Sequence, residues 1–481
     1  MRRLAWFVIL LLVAARAAWA DPAADFEGVW LGEITAPNAR TAFGVAFTRA
    51  GAGLNVRLYL PEMFLPGVNF GPAAIRDGAF VLEPLNLVLR RQGDALAGTF
   101  AIAKLPVELR RVPAWPAVPP APDFPPAPAP VWSLALGAPA WASPVARDGI
   151  AYVGTVGGSF HAVRAGDGRP LWTWRGPNPI YGEALATADG VFFVDDRGDL
   201  VGLARADGAI RWRTPLRPDL AAGAPAPRDE TFNHRAPAPV ADAAGIIYVG
   251  SASRALYAIR AASGEIVWRR DTGTPVYATA VLRGDDIIVG GFDGSLITFN
   301  RRGEETARVR LGGPIASAPA VAGGRIVAGC RDYLLYGLDA ASGAVVWRDS
   351  YWFSWVESTP RLADGVLYVG GSDYRRVSAL DPATGRCLWA TDVRGLTWGS
   401  PVVTATTVFA GTAGQNLAGT VIKHVGGLVA LDRRTGAVKW QYRSPVPADA
   451  PFIGFTGSLV LAAGRIIGAG VDGVMIAFPA E

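Results

Sequence analysis

The chain has 481 residues, with 46 Lys and Arg against 41 Asp and Glu. Setting aside Arg2, Arg3 and Arg16 of an N-terminal leader leaves 43 basic side chains, a balance too even for a nucleic-acid-binding surface. Two cysteines, Cys330 and Cys387, make no disulfide framework, and a chain of this length buries a core without one.

In the leader, Arg2 and Arg3 precede the apolar run Leu4–Ala15, and Ala18-Trp19-Ala20 is a small-x-small cleavage site. Residues 1–20 are expected to be a cleaved secretory signal, because Arg16 interrupts the run before it is long enough to span a bilayer. The expected location is periplasmic or secreted. No transmembrane segment is predicted in the mature chain, and no Cys follows the cleavage site to carry a lipid.

Residues 21–112 alternate apolar and polar side chains in Val29–Thr35, Phe43–Thr48, Leu54–Leu60 and Val107–Val112, punctuated by Asp77-Gly78 and Gly93-Asp94. Period-2 stretches between such turns predict a small antiparallel β barrel or sandwich. Gly28-Val-Trp30 with Arg110-Arg111 faintly resembles the lipocalin pattern, and Trp30 is expected to plug one end of the unit. Residues 113–130 hold nine prolines and predict an extended, semi-rigid linker.

From residue 131 to 481 one pattern recurs: an apolar strand ending near Gly, a second strand, a turn, then Trp. The aligned tryptophans are 132, 172, 212, 268, 347, 389 and 440, and Val309 is expected at the position of a missing one. Four short strands, A to D, in about forty residues are the size of a propeller blade. The last copy, from Phe455 to Phe478, supplies only strands A to C. Residues 131–136, with Trp132 at the D position, are expected to complete it and close an eight-bladed ring, which removes exposed sheet edges. The two cysteines fall at different positions of different repeats and are expected as separate buried thiols.

The segments Ala340-Ala-Ser-Gly343-Ala-Val-Val-Trp347, Pro382-Ala-Thr-Gly385-Arg-Cys-Leu-Trp389 and Arg434-Thr-Gly436-Ala-Val-Lys-Trp440 resemble the tryptophan-docking motif of the quinoprotein (PQQ)-like propellers. The resemblance implies an all-β, eight-bladed PQQ-like propeller in which Trp packs between blades and Gly permits the C–D turn. One branch contains periplasmic dehydrogenases that hold pyrroloquinoline quinone and Ca²⁺, often against a disulfide of adjacent cysteines. Another contains non-catalytic propellers of outer-membrane-protein assembly. The chain has no adjacent cysteines and no Cys-x-x-Cys-His haem site, so it is closer to the second branch.

Propeller geometry focuses the search for a site. Strand A lines the central channel, and the D–A and B–C loops share one face. The residues expected to open strand A are Trp141, Tyr181, Ala236, Tyr277, Ser317, Glu357, Trp398 and Phe455. The insertions Arg217–Arg235, carrying His234 and Arg235, and Gln415–Val425, carrying His424, rise on the same face, as does Tyr351–Trp355 with Trp352 and Trp355. An aromatic-rich face around the channel mouth follows, with rings that give large contact area at low entropy cost. The bland alternative is that these rings only fill space.

Glu357 and Glu183 are the candidate acid/base or cation-holding pair, with Arg235 and Arg361 as candidate partners if they are instead structural. His161 is expected to be structural, and the spaced ligands of a metal site are missing. The expectation is a non-catalytic exported propeller, without cofactor, that binds an envelope protein or extended ligand on the aromatic face. The alternative is a PQQ-dependent dehydrogenase of alcohols or sugars using the channel.

Overall fold

The computed structural model describes residues 23–36, 39–51, 53–61, 65–100, 104–117, 123–219, 237–351, 354–415, 425–445 and 452–481. The chain divides into two compact units, Met1–Ala121 and Pro122–Glu481. No helix among the described residues is long and apolar enough to cross a membrane.

The first unit is a closed barrel of eight strands in sequence order: β1 (Gly28–Ala36), β2 (Ala39–Ala50), β3 (Gly53–Leu60), β4 (Leu65–Arg76), β5 (Ala79–Leu82), β6 (Leu87–Gln92), β7 (Ala95–Phe100) and β8 (Leu105–Val112). Strand β1 pairs antiparallel with both β2 and β8, which closes the ring. Asp77 and Gly78, with φ of 51° and 69°, form the tight turn between β4 and β5. Alternation sets the two faces: Leu105, Val107 and Leu109 point inward, while Pro106, Glu108 and Arg110 face solvent.

Phe43, Phe47, Phe80 and Phe100 fill the interior, as expected of an eight-stranded barrel just wide enough for side chains. Trp30 is fully buried and donates from Nε1 to Phe26 O at 2.8 Å. The guanidiniums of Arg111 and Arg91 lie 4.8 and 5.0 Å from its ring centroid. Trp30 thus fills space under two cations, which hold it by ring–cation attraction.

The second unit is an eight-bladed propeller, each blade an antiparallel sheet in A-B-C-D order. In blade one the strands are Val145–Arg147, Ile150–Gly154, Ser159–Arg164 and Pro170–Arg175. Blade eight combines Val460–Ala462, Arg465–Ala469 and Val474–Pro479 with Trp132–Ala135, Trp132 lying opposite Ala477. The first strand of the propeller therefore closes the last blade. B and C strands are buried on both faces and read as continuous apolar runs, whereas the outer D strands are largely exposed.

The docking tryptophans join neighbours by one repeated contact. Nε1 of Trp132, Trp172, Trp212, Trp268, Trp347 and Trp389 donates to a C–D turn carbonyl of the following blade at 2.8–3.0 Å. The turn glycine lies against the indole: at Gly385, with φ of 72°, a Cβ would come 2.6 Å from Trp347. A side chain there would be strained and would clash, so Gly serves turn and packing together. In blade four the ladder position of the tryptophan is Ala307, opposite Thr298. Val309, two residues on, takes over the packing against Gly343.

Blade seven gains an extra edge contact from the Pro-rich segment. Pro126 forms a parallel bridge with Gln441 of strand D, Val438–Arg443.

Candidate functional site

Backbone hydrogen bonds fix which loops share a face. In blades one, two, four and five the second residue of the B–C turn donates to the D–A loop that enters the blade: Val156 to Pro139, Asp196 to Pro179, Phe292 to Pro275, and Arg331 to Pro314, all at 2.8–2.9 Å. Two residues beyond Pro139, Pro179 and Pro275 stand Trp141, Tyr181 and Tyr277. The turn that fixes the loop therefore also sets the ring at the channel mouth.

Trp141, Tyr181, Tyr277 and Trp398 line one central cavity of about 460 Å³. Below them lie Ser143, Glu183, Thr279, Thr359, Ser400 and Ser458, a band of hydroxyls and one carboxylate. Strand pairing corrects the register in two blades. Val460 pairs with Ile467 as Val145 pairs with Tyr152, so blade eight opens on Thr456. Phe455 is 2% exposed and belongs to the core between blades seven and eight. By the same comparison blade five opens on Ala316. Four of the ring positions are aromatic, rather than five. Trp352, His234, Arg235, Ala236 and His424 lie outside the described residues.

The ring continues outward through side chains that the sequence did not single out. Phe292 packs edge-on against Tyr277, and Phe452 packs edge-on against both Trp141 and Trp398. Trp398 also donates from Nε1 to Ser372 Oγ. Arg331 lies between Phe292 and Trp355, 5.2 and 4.2 Å from their centroids. Phe292 and Arg331 occupy equal positions in two B–C turns, so aligning turns rather than strand starts would have found them.

Glu357 and Glu183 have different surroundings. Glu183 is exposed within the cavity. Glu357 is buried and accepts from Arg331 at 2.8 Å (Nε) and 2.6 Å (Nη2), and it is not among the cavity-lining side chains. The partner is Arg331, rather than Arg235 or Arg361. Arg361 lines the cavity on its own strand. His161 is held by Ser159 at 2.8 Å and Thr173 at 3.1 Å, and burial, then Arg175, lowers its pKa. Cys330 is buried with Sγ 2.9 Å from Gly313 O, but Cys387 is exposed, because outer D strands have no neighbour beyond them.

A quinone–Ca²⁺ pair can be tested against this lining. Ca²⁺ takes six to eight oxygens, several from carboxylates. Glu183 is the one carboxylate among the described lining residues, and no group of three His, Cys, Asp or Glu among the described residues is placed to hold a metal. The described lining residues do not fit the metal's donor set. Half-buried rings over a hydroxyl band instead suit non-covalent recognition.

A family model described as outer membrane protein assembly factor BamB matches residues 128–225, 219–306 and 293–481. BamB of Nitrosomonas eutropha is 28% identical over 150 residues, 30% of this chain. The match spans 36% of that relative's length, about a third. The crystal structure of BamB from Moraxella catarrhalis aligns over 71% of this chain and 95% of its own, at 15% identity and a TM-score of 0.48. The quinohemoprotein alcohol dehydrogenase of Comamonas testosteroni aligns over 73% of this chain and 76% of its own, at 14% identity and a TM-score of 0.55. The computationally designed protein Ika8 aligns over 72% and 97%, at 13% identity and a TM-score of 0.56. At such identities the likeness to the dehydrogenase and the designed protein shows the propeller fold alone.

Proposed function

Since the chain belongs, through residues 128–481, to the family described as outer membrane protein assembly factor BamB, we propose that it is a non-catalytic, exported propeller serving outer-membrane-protein assembly. Its partner is an envelope protein, docked on the D–A/B–C face around Trp141, Tyr181, Tyr277, Trp355 and Trp398. The reading needs no cofactor and places the protein in the periplasm.

The observation that supports it best is the fate of the two candidate carboxylates. Glu357 is consumed by Arg331, and the pair braces Trp355 at the mouth. Glu183 is left without a second cavity-lining carboxylate among the described residues, so the acid/base reading lacks its pair. Aromatic anchors beside a desolvated Arg are the composition of a binding hot spot.

The test is co-purification of envelope assembly proteins with the tagged full-length chain after in-cell cross-linking. The double variant Trp141→Ala, Trp398→Ala should lower recovery at least tenfold while its thermal unfolding stays cooperative. Full recovery with a folded variant would remove this face from consideration.

A further inference from the structure

The outer edge of a propeller blade is an unpaired strand, and this chain shows how one such edge is used. On blade seven, Gln441 N donates to Pro125 O at 2.8 Å and Ala127 N donates to Gln441 O at 3.0 Å. The geometry explains why a proline-rich sequence is accepted. In a parallel bridge the residue opposite Gln441 turns its own N–H away, so Pro126 forfeits no bond. Pro125, which has no N–H, ends the ladder after one bridge. Side chains add to the contact: Arg443 reaches Asp123 at 3.3 Å, and the Arg394 guanidinium lies 3.9 Å from the Phe124 centroid.

The other edges differ in one telling position, the residue after the docking tryptophan. It is Arg213, Arg269, Arg308 and Arg348 in blades two to five, a charge that opposes strand addition. It is uncharged in the remaining half: Ala390 in blade six, Gln441 in seven, Ser133 in eight and Thr173 in one. Blades six and eight are the two whose D strand carries no Arg or Lys. Blade eight's D strand is the one into which the Pro-rich segment itself runs. That leaves Cys387–Asp392 of blade six, whose outer edge pairs with no strand among the described residues and where Leu388 is 41% exposed. This edge adjoins the occupied one, because Arg394, which holds Phe124, follows it by two residues.

We propose that the edge of blade six binds an extended, proline-containing segment of a partner protein as a fifth, parallel strand. Asp392 stands where blade seven has Arg443, and its carboxylate is already paired with Arg375 at 2.9 Å, so the residue in the place of Asp123 needs no charge and should not be acidic. The surface is the propeller perimeter, separate from the aromatic mouth.

The probe is a fluorescent peptide of residues 123–131 and its Asp123→Asn form, titrated into the full-length protein and read by anisotropy. Saturable binding is expected, at least fivefold tighter for the Asn form, with Ala390→Arg or Leu388→Arg weakening it at least tenfold in protein of unchanged melting temperature. Absence of saturable binding to about 1 mM, or binding that both substitutions leave unchanged, would overturn the proposal.

Discussion

The Arg331 guanidinium lies 4.2 Å from the centroid of the Trp355 ring and at the same time gives two hydrogen bonds to Glu357. One cation therefore joins a B–C turn of blade five to the loop entering blade six. The ion pair is shielded, with side-chain exposures of 7% and 10%. Removing one member should cost more than removing both. We expect Arg331→Ala to lose about 3–5 kcal/mol of stability, because Glu357 loses its Arg partner while staying buried. The double change Arg331→Met, Glu357→Leu should recover most of that loss. Urea unfolding followed by tryptophan fluorescence measures both, and equal destabilisation of the single and double variants would refute the account.

Ring closure depends on a contact between residues far apart from the chain's last strand. Trp132, 8% exposed, docks on Gly168 of blade one and donates to Ala165 O at 3.0 Å, while its strand pairs with Val474–Pro479. Trp132→Ala should cost about 3–5 kcal/mol through lost packing. Trp132→Phe keeps much of the ring and should cost mainly the hydrogen bond, on the order of 1 kcal/mol. If both variants melt alike, the indole N–H rather than packing dominates closure.

Blade count and closure were legible because most repeats place Trp and Gly at fixed spacing for one physical reason, the indole seated on a positive-φ turn. The barrel was legible from period-2 alternation between turns. Register at the channel mouth was less so. Phe455 and Ser317 were displaced by one position because D–A loops differ in length, and only strand pairing reveals where strand A begins. Arg331 escaped because an Arg in a turn looks solvated until its neighbours are known. Cys387 lies on an outer strand, where apolar spacing says little about burial.

Asp349 supplies a pH test. Burial pushes its carboxyl up from the ordinary value to about 6, while Arg376 and the Ser350 N–H draw it partly back. A carboxyl raised on folding favours the folded state only when protonated. Its penalty is absent below about pH 4 and grows as pH rises to about 6. Asp349→Asn should therefore match the parent near pH 4 and exceed it by on the order of 2 kcal/mol at pH 7. The readout is the difference in urea midpoint across that range, and a constant difference would show that burial does not control this group.

The two thiols should separate by access rather than pair. Cys330 is buried in the core between blades four and five, and burial raises its pKa strongly, so little thiolate exists to react. Cys387 sits exposed on the outer strand of blade six, open to reagent. At pH 8 a disulfide-exchange reagent should modify one thiol per native chain and two in denaturant. Mass mapping should place the native modification on Cys387. The rate at Cys330 then reports opening of the core between blades four and five, because the reagent reaches it only when those blades part. Two fast equivalents in the native protein would mean that this interface opens freely, contrary to the packing of Ile288, Leu338 and Tyr336 around that thiol.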